Sequence, residues 1–222
     1  MRYLLVLFLL VSFLGYSQDF SNEDFIYLKR HEHIKIGLAK QSFEITKLVS
    51  EQAEYLSANK LYFANESMSF DSFTSIEDID AYTYLPSSDK NIKVDYIETK
   101  REFDNGIFYS DQESKIFTFP AVTKGAITNL NYKEIIKDPH FLGLFRFGTY
   151  VPTKSAQLSI EFPSNVSIGY IDFNTKDISV DFKQETSKDI TTYTWTANNT
   201  KGYQSEDDGE SVLYFVPHII VY

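Results

Sequence analysis

Residues 155–162 read SAQLSIEF. Ala156, Leu158, Ile160 and Phe162 alternate with Ser155, Gln157, Ser159 and Glu161. Side chains of an extended chain point to opposite faces in turn, so a period of two defines a strand with one dry and one wet side. The same reading holds for TTYTWTA (191–197), where Tyr193, Trp195 and Ala197 face away from the threonines. DISVDF (177–182) sets Ile178, Val180 and Phe182 on one face, and NIKVDY (91–96) does so with Ile92, Val94 and Tyr96. Sixteen tyrosines and 19 phenylalanines supply residues that suit a pleated, half-buried surface.

Turn chemistry separates these runs. Asp104-Asn105-Gly106 lies between KREF and IFYS, and Asn-Gly accepts the positive φ angles of a tight hairpin. Thr123-Lys124-Gly125, Pro163-Ser164-Asn165 and Ser187-Lys188-Asp189 punctuate the later strands. A spacing of roughly 8–12 residues between turns is that of sandwiches and barrels. Helical patterning is sparse: SIEDIDAY (75–82) is expected to hold one short turn, and residues 50–59 fit either helix or strand. The expectation is an all-β, antiparallel β-sandwich-like fold with little helix, broken near Pro139 to Thr153 into two sheets or two lobes. Residues 18–39 read as an N-terminal lead-in strand, 40–210 as the sandwich and 211–222 as a terminal strand.

The chain opens MRYLLVLFLLVSFLGYSQDF. Arg2, the apolar run to Leu14 and the small residues Gly15 and Ser17 make residues 1–17 a secretory signal peptide, cleaved after Ser17. The run falls short of the ~20 apolar residues of a membrane span. With no cysteine there is no lipobox thiol, no disulfide framework and no thiolate nucleophile. The expectation is a released periplasmic or extracellular protein with no membrane association after cleavage. Formal charge is -10 with acidic residues scattered, and the cations do not cluster, which disfavours nucleic acid as a partner; none is expected.

Three stretches taken in order resemble a known family: FTSIEDIDAYTYLPSSDKNIKVDY (73–96), SKIFTFPAVTKGAITNLNY (114–132) and YVPTKSAQLSIEFPSNVSIGY (150–170). Their order and spacing, with the late YTW strand, are similar to the domain of unknown function that precedes transglutaminase-like domains in exported bacterial proteins. The resemblance covers about residues 40–200. It implies a β-sandwich-like companion domain, with a Cys-His-Asp constellation in the domain that follows. This chain has no cysteine, so none of those catalytic residues can be carried over. The implied role is non-catalytic: docking, positioning or regulating the downstream domain as protein partner. The apolar end SVLYFVPHIIVY (211–222) resembles the hand-over to that domain, and Pro217, lacking an amide donor, fits a strand edge or bulge. A free-standing glycan- or peptide-binding sandwich at the cell surface is the alternative.

No residue is assigned a catalytic, cofactor-binding or metal role, and no cofactor is expected. His31 and His33 share one face of a strand, but a zinc site needs three or four ligands. His140 follows Asp138-Pro139 and is expected in an exposed turn, while His218 reads as a packed histidine in the last strand. Glu206-Asp207-Asp208-Gly209-Glu210 lacks the alternating ligands of a calcium loop and reads as a solvated turn. Arg146, between Phe145 and Phe147, is expected to face solvent. Asn65, Asn165 and Asn198 fit N-x-[ST] sequons. Tyr82, Tyr84, Phe108 and Tyr109 are candidates for an exposed aromatic row, although alternation turns about half of such residues inward. G-x-S-x-G and phosphate-cradling glycine loops are absent from the sequence.

Overall fold

The computed structural model describes residues 20–39, 42–101, 111–204 and 211–222. The leader, the Asn105-Gly106 turn with Phe108 and Tyr109, and the acidic loop 206–210 lie outside the described residues. Within them the chain is built of strands and short 3-10 turns, an all-β fold as the alternation predicts.

The base is an eight-stranded sheet. Its members are β1 (Phe25–Ala39), β2 (Ser42–Tyr55), β4 (Thr74–Leu85), β5 (Lys90–Lys93), β8 (Ile127–Ile136), β10 (Thr153–Pro163), β12 (Val180–Ser187) and β13 (Ile190–Thr200). Their order is β12-β13-β10-β1-β2-β8-β4-β5. Every pair is antiparallel except β1 with β10, which run parallel and put Ile34 beside Ile160. Parallel neighbours need a long crossover, and here more than a hundred residues separate the two strands. β1 therefore sits in the centre of the sheet.

Two three-stranded sheets lie on this base. The first comprises β3 (Asn65–Phe70), β7 (Glu113–Thr118) and β6 (Glu98–Arg101), in the order β3-β7-β6. The second comprises β11 (Tyr170–Phe173), β14 (His218–Val221) and β9 (Leu144–Arg146), in the order β11-β14-β9. The β11 sheet closes a core in which Phe145, Phe147, Ile219 and Val221 meet Ile34, Leu158, Ile160 and Trp195. The β3 sheet closes another, setting Met68, Phe117 and Phe119 against Ile76, Ala81 and Leu130. Register places Ile136 and Leu130 on the same face of β8, so both small sheets cover one side of the base.

Three local expectations change. SIEDIDAY is strand throughout, because a bulge between Glu77 and Asp80, with Asp78 at φ 53°, absorbs the break in its alternation. The strand expected at 177–182 starts at Val180, after a 3-10 turn over Thr175–Asp177. The strand expected at 91–96 ends at Lys93, with one further hydrogen bond from Val94 N to Ala81 O. The ambiguous stretch 50–59 continues β2 as far as Tyr55. Pro217 stands just before β14, where its carbonyl accepts from Phe147 N at 2.8 Å.

Candidate functional site

Three places on this scaffold carry residues that packing alone does not require. The first is a polar seam on the inner face of the base, between the two dry cores. Arg30 and Glu32 on β1, Lys47 and Glu51 on β2 and Glu134 on β8 share that face, as register dictates. Arg30 Nε donates to Glu51 Oε1 at 3.1 Å, and Lys47 Nζ lies 2.6 Å from Glu134 Oε2. Both small sheets reach this seam. β9 offers the Arg146 carbonyl to Arg30 Nη1 at 3.3 Å, and β3 turns Glu66 inward beside Glu51. Burial, reinforced by the Glu51 carboxylate, pushes Glu66 up to about 7. Burial also raises Glu32, against the pull of Lys47 and Arg30. Arg146 is half-buried, with a side-chain Nε that meets no partner, where alternation predicts a solvent-facing residue. Paired charges of this kind fix how elements register more than they add stability.

The second place is the outer face of the base. His31 and His33 point there together, as their spacing predicts. His31 Nε2 is 2.9 Å from Ser155 Oγ, and His33 Nε2 is 3.7 Å from Glu161 Oε2. Burial, then the neighbouring lysines, holds both imidazoles below their ordinary range. His140 is exposed and pairs with Asp138 at 2.7 Å, and His218 stacks on Phe173 at 4.8 Å. The four histidines thus lie in three separate settings. Among the described residues no three His, Asp or Glu side chains converge on a metal-sized point. Asn65, Asn165 and Asn198 are exposed; Tyr82 and Tyr84 are half-buried, and Tyr84 donates to Asp89.

The third place is the outer face of the β11 sheet. Pairing aligns Ile171, Ile220 and Leu144 across its three strands, and these residues are 47%, 36% and 41% exposed. Their chain neighbours Ile219 and Phe145 are buried beneath. Phe173 extends the apolar row on one side and the exposed Tyr222 on the other. The ladder runs one residue past β14: Gly169 and Tyr222 exchange two hydrogen bonds, at 2.8 and 2.9 Å. A Cβ on Gly169 would stand 2.4 Å from the Tyr222 ring, so the ring lies over the glycine as only a residue without a side chain allows in this rotamer. The apolar end of the sequence reads as a terminal strand handing over to a following domain; its β14 sets buried Ile219 and Val221 on one face and exposed Ile220 on the other. A strand that is apolar on both faces belongs to a sheet covered on both faces.

One large sheet bearing two small ones on a single face defines an all-β module of sandwich type. The family model of a domain of unknown function with solved-structure structure (DUF3857) matches residues 56–204, and the chain belongs to that family. No curated protein matches it. Among solved structures, a Parabacteroides distasonis protein described as a candidate protease superposes with a TM-score of 0.74 at 16% identity. The match covers 89% of this chain and 40% of that one. An M1 zinc metallopeptidase from Deinococcus radiodurans gives 0.43 at 11% identity, over 90% and 42% of the two chains. Native leukotriene A4 hydrolase from Saccharomyces cerevisiae gives 0.40 at 12% identity, over 89% and 29%. The likeness to the Parabacteroides distasonis protein concerns the fold alone. This chain spans less than half the length of each of these proteins.

Proposed function

We propose that the chain is an exported, non-catalytic β module whose β11 sheet docks a transglutaminase-like domain and positions or regulates it. The observation that carries this reading is the row Ile171, Ile220 and Leu144, apolar and exposed on a sheet whose other side packs Phe145, Ile219 and Val221 into the core. Isolated exposed apolar residues are ordinary, whereas an aligned row marks a covered surface. The order of motifs and the leader in the sequence support the partner's class and the export. Further support comes from the solved candidate protease, in which a module of this fold occupies less than half of a longer chain. Catalysis is assigned to the partner: this chain has no cysteine, and its four histidines lie in three separate settings.

Calorimetric titration of the chain with a transglutaminase-like domain encoded in frame with it or in an adjacent gene tests the reading. Saturable one-to-one heat is the expected result. Absence of any such domain from both places, or absence of heat on mixing, overturns it.

A further inference from the structure

β12 is an edge strand of the base and β11 an edge strand of its small sheet, and residues of both line an open mouth, a cavity of about 410 Å³. Its floor is aromatic. Tyr170 and Phe182 both rest on Trp195, with ring centres 5.0 and 5.1 Å from it, and lie 5.7 Å from each other. Trp195 is only 3% exposed, whereas Tyr170 and Phe182 are 37% and 44% exposed. The rim carries a carboxylate where alternation calls for an apolar residue: Asp172 pairs with Ile219 on the inner side of β11, the side of Tyr170. Thr175 Oγ1 donates to Asp172 Oδ2 at 2.7 Å and fixes it at the mouth. A carboxylate accepts several hydrogen bonds, so this one contact leaves capacity for a ligand. An inward charge also guards a sheet edge, but that role needs no aromatic floor beside it.

We propose that this mouth binds a neutral sugar ring, stacked on Tyr170 and Phe182 and hydrogen-bonded through its hydroxyls to Asp172. A pyranose has an apolar C–H face that settles on the electron-rich face of an aromatic ring, and a rim of hydroxyls that donate to a carboxylate. The chain's charge of -10 disfavours acidic glycans. A cationic ligand needs ring faces around it. Here the exposed rings pack on each other and on Trp195, tilted by 40°, and so form a floor, not a cage. This site lies on the inner side of β11 and is independent of the docking row on the outer side.

Trp195 is the only tryptophan of the chain, so intrinsic fluorescence reports this mouth directly. The test titrates the folded protein with cellotriose, chitotriose and mannotriose, each up to roughly 10 mM. A saturable change in Trp195 emission with at least one sugar is expected. Phe182→Ala and Asp172→Asn should each weaken it about tenfold, while Tyr96→Ala, exposed near the β3 sheet, leaves it unchanged. Asp172→Asn preserves shape, so it decides the matter if Phe182→Ala loses its circular dichroism signature. No response to any of the three sugars overturns the proposal. So does a response that survives Asp172→Asn undiminished, or saturation by tetramethylammonium with the sugars inert.

Discussion

The two small sheets have the same strand number and sit on the same face of the same base, yet their outer faces differ. Across the β3 sheet the central outward row is Ser67, Ile116 and Glu98; across the β11 sheet it is Ile171, Ile220 and Leu144. Each inner face carries buried apolar residues, Met68 and Phe117 in one sheet and Ile219 and Phe145 in the other. Burial of the inner face explains both sheets equally. It leaves the second outer row unexplained, because a solvated sheet face normally alternates to polar residues. The β3 sheet is thus finished as a surface, and the β11 sheet is not.

Substitutions on the two sides of one strand test this contrast most severely. Ile219→Ala, on the inner side, should cost about 2–5 kcal/mol in urea unfolding, as should Phe117→Ala under the β3 sheet at about 3–5 kcal/mol. A cost for Ile219→Ala below that of an ordinary surface change would remove the inner-outer distinction.

A smaller effect separates the ways the sheets are pinned to the seam. The β3 sheet brings Glu66, a titratable group, whereas the β11 sheet brings the Arg146 backbone carbonyl, which does not titrate. The folded-state value of Glu66, about 7, stands above its ordinary 4.5. The native state therefore holds more protons than the unfolded state between those values, and stability falls as pH rises through the window. The loss should be about 1–2 kcal/mol after solvent screening, and Glu66→Gln should abolish it and be the more stable protein above about pH 7. Amide exchange should quicken with pH in β3 beyond its intrinsic rate, with β9 unaffected. Equal quickening in both sheets would contradict the assignment.

Gly169→Ala comes next, at about 1 kcal/mol, because the exposed Tyr222 ring can swing away from the new methyl. Fraying confined to the end of β14 is the expected signature in amide exchange. Smallest of all is Ile220→Thr, which should change the stability of the isolated chain by less than about 0.5 kcal/mol. A large loss there would mean that the row is packed within the chain and not awaiting a partner.

Much of this architecture was legible where one rule acted alone. SAQLSIEF and TTYTWTA alternate without interruption, and Ala156, Leu158, Ile160, Phe162, Trp195 and Ala197 are all buried. SIEDIDAY was misread because its bulge spaces Ile76 and Ile79 by three, a helical interval, before alternation resumes at Ala81. The seam was illegible for a different reason. Nothing local in the sequence turns Arg30, Glu32, Lys47, Glu51 and Glu134 inward, and only pairing across three strands reveals that they share the inner face with Ile34 and Ile45. Asp172 was hidden in the same way, as an acid in a short strand whose inward direction depends on its partner Ile219. Period two gives the faces of a strand, but it does not say which face a neighbouring sheet will cover.

The central claim is that the two outer faces differ in purpose, and one paired affinity measurement tests it. Dissociation constants for the transglutaminase-like partner domain would be measured with the native chain, with Ile220→Lys on the β11 sheet and with Ser67→Lys on the β3 sheet. The account predicts at least about a hundredfold weakening for Ile220→Lys, as for a lost interface anchor, and an unchanged constant for Ser67→Lys. Equal constants for the two lysine variants, or greater harm from Ser67→Lys, would contradict it.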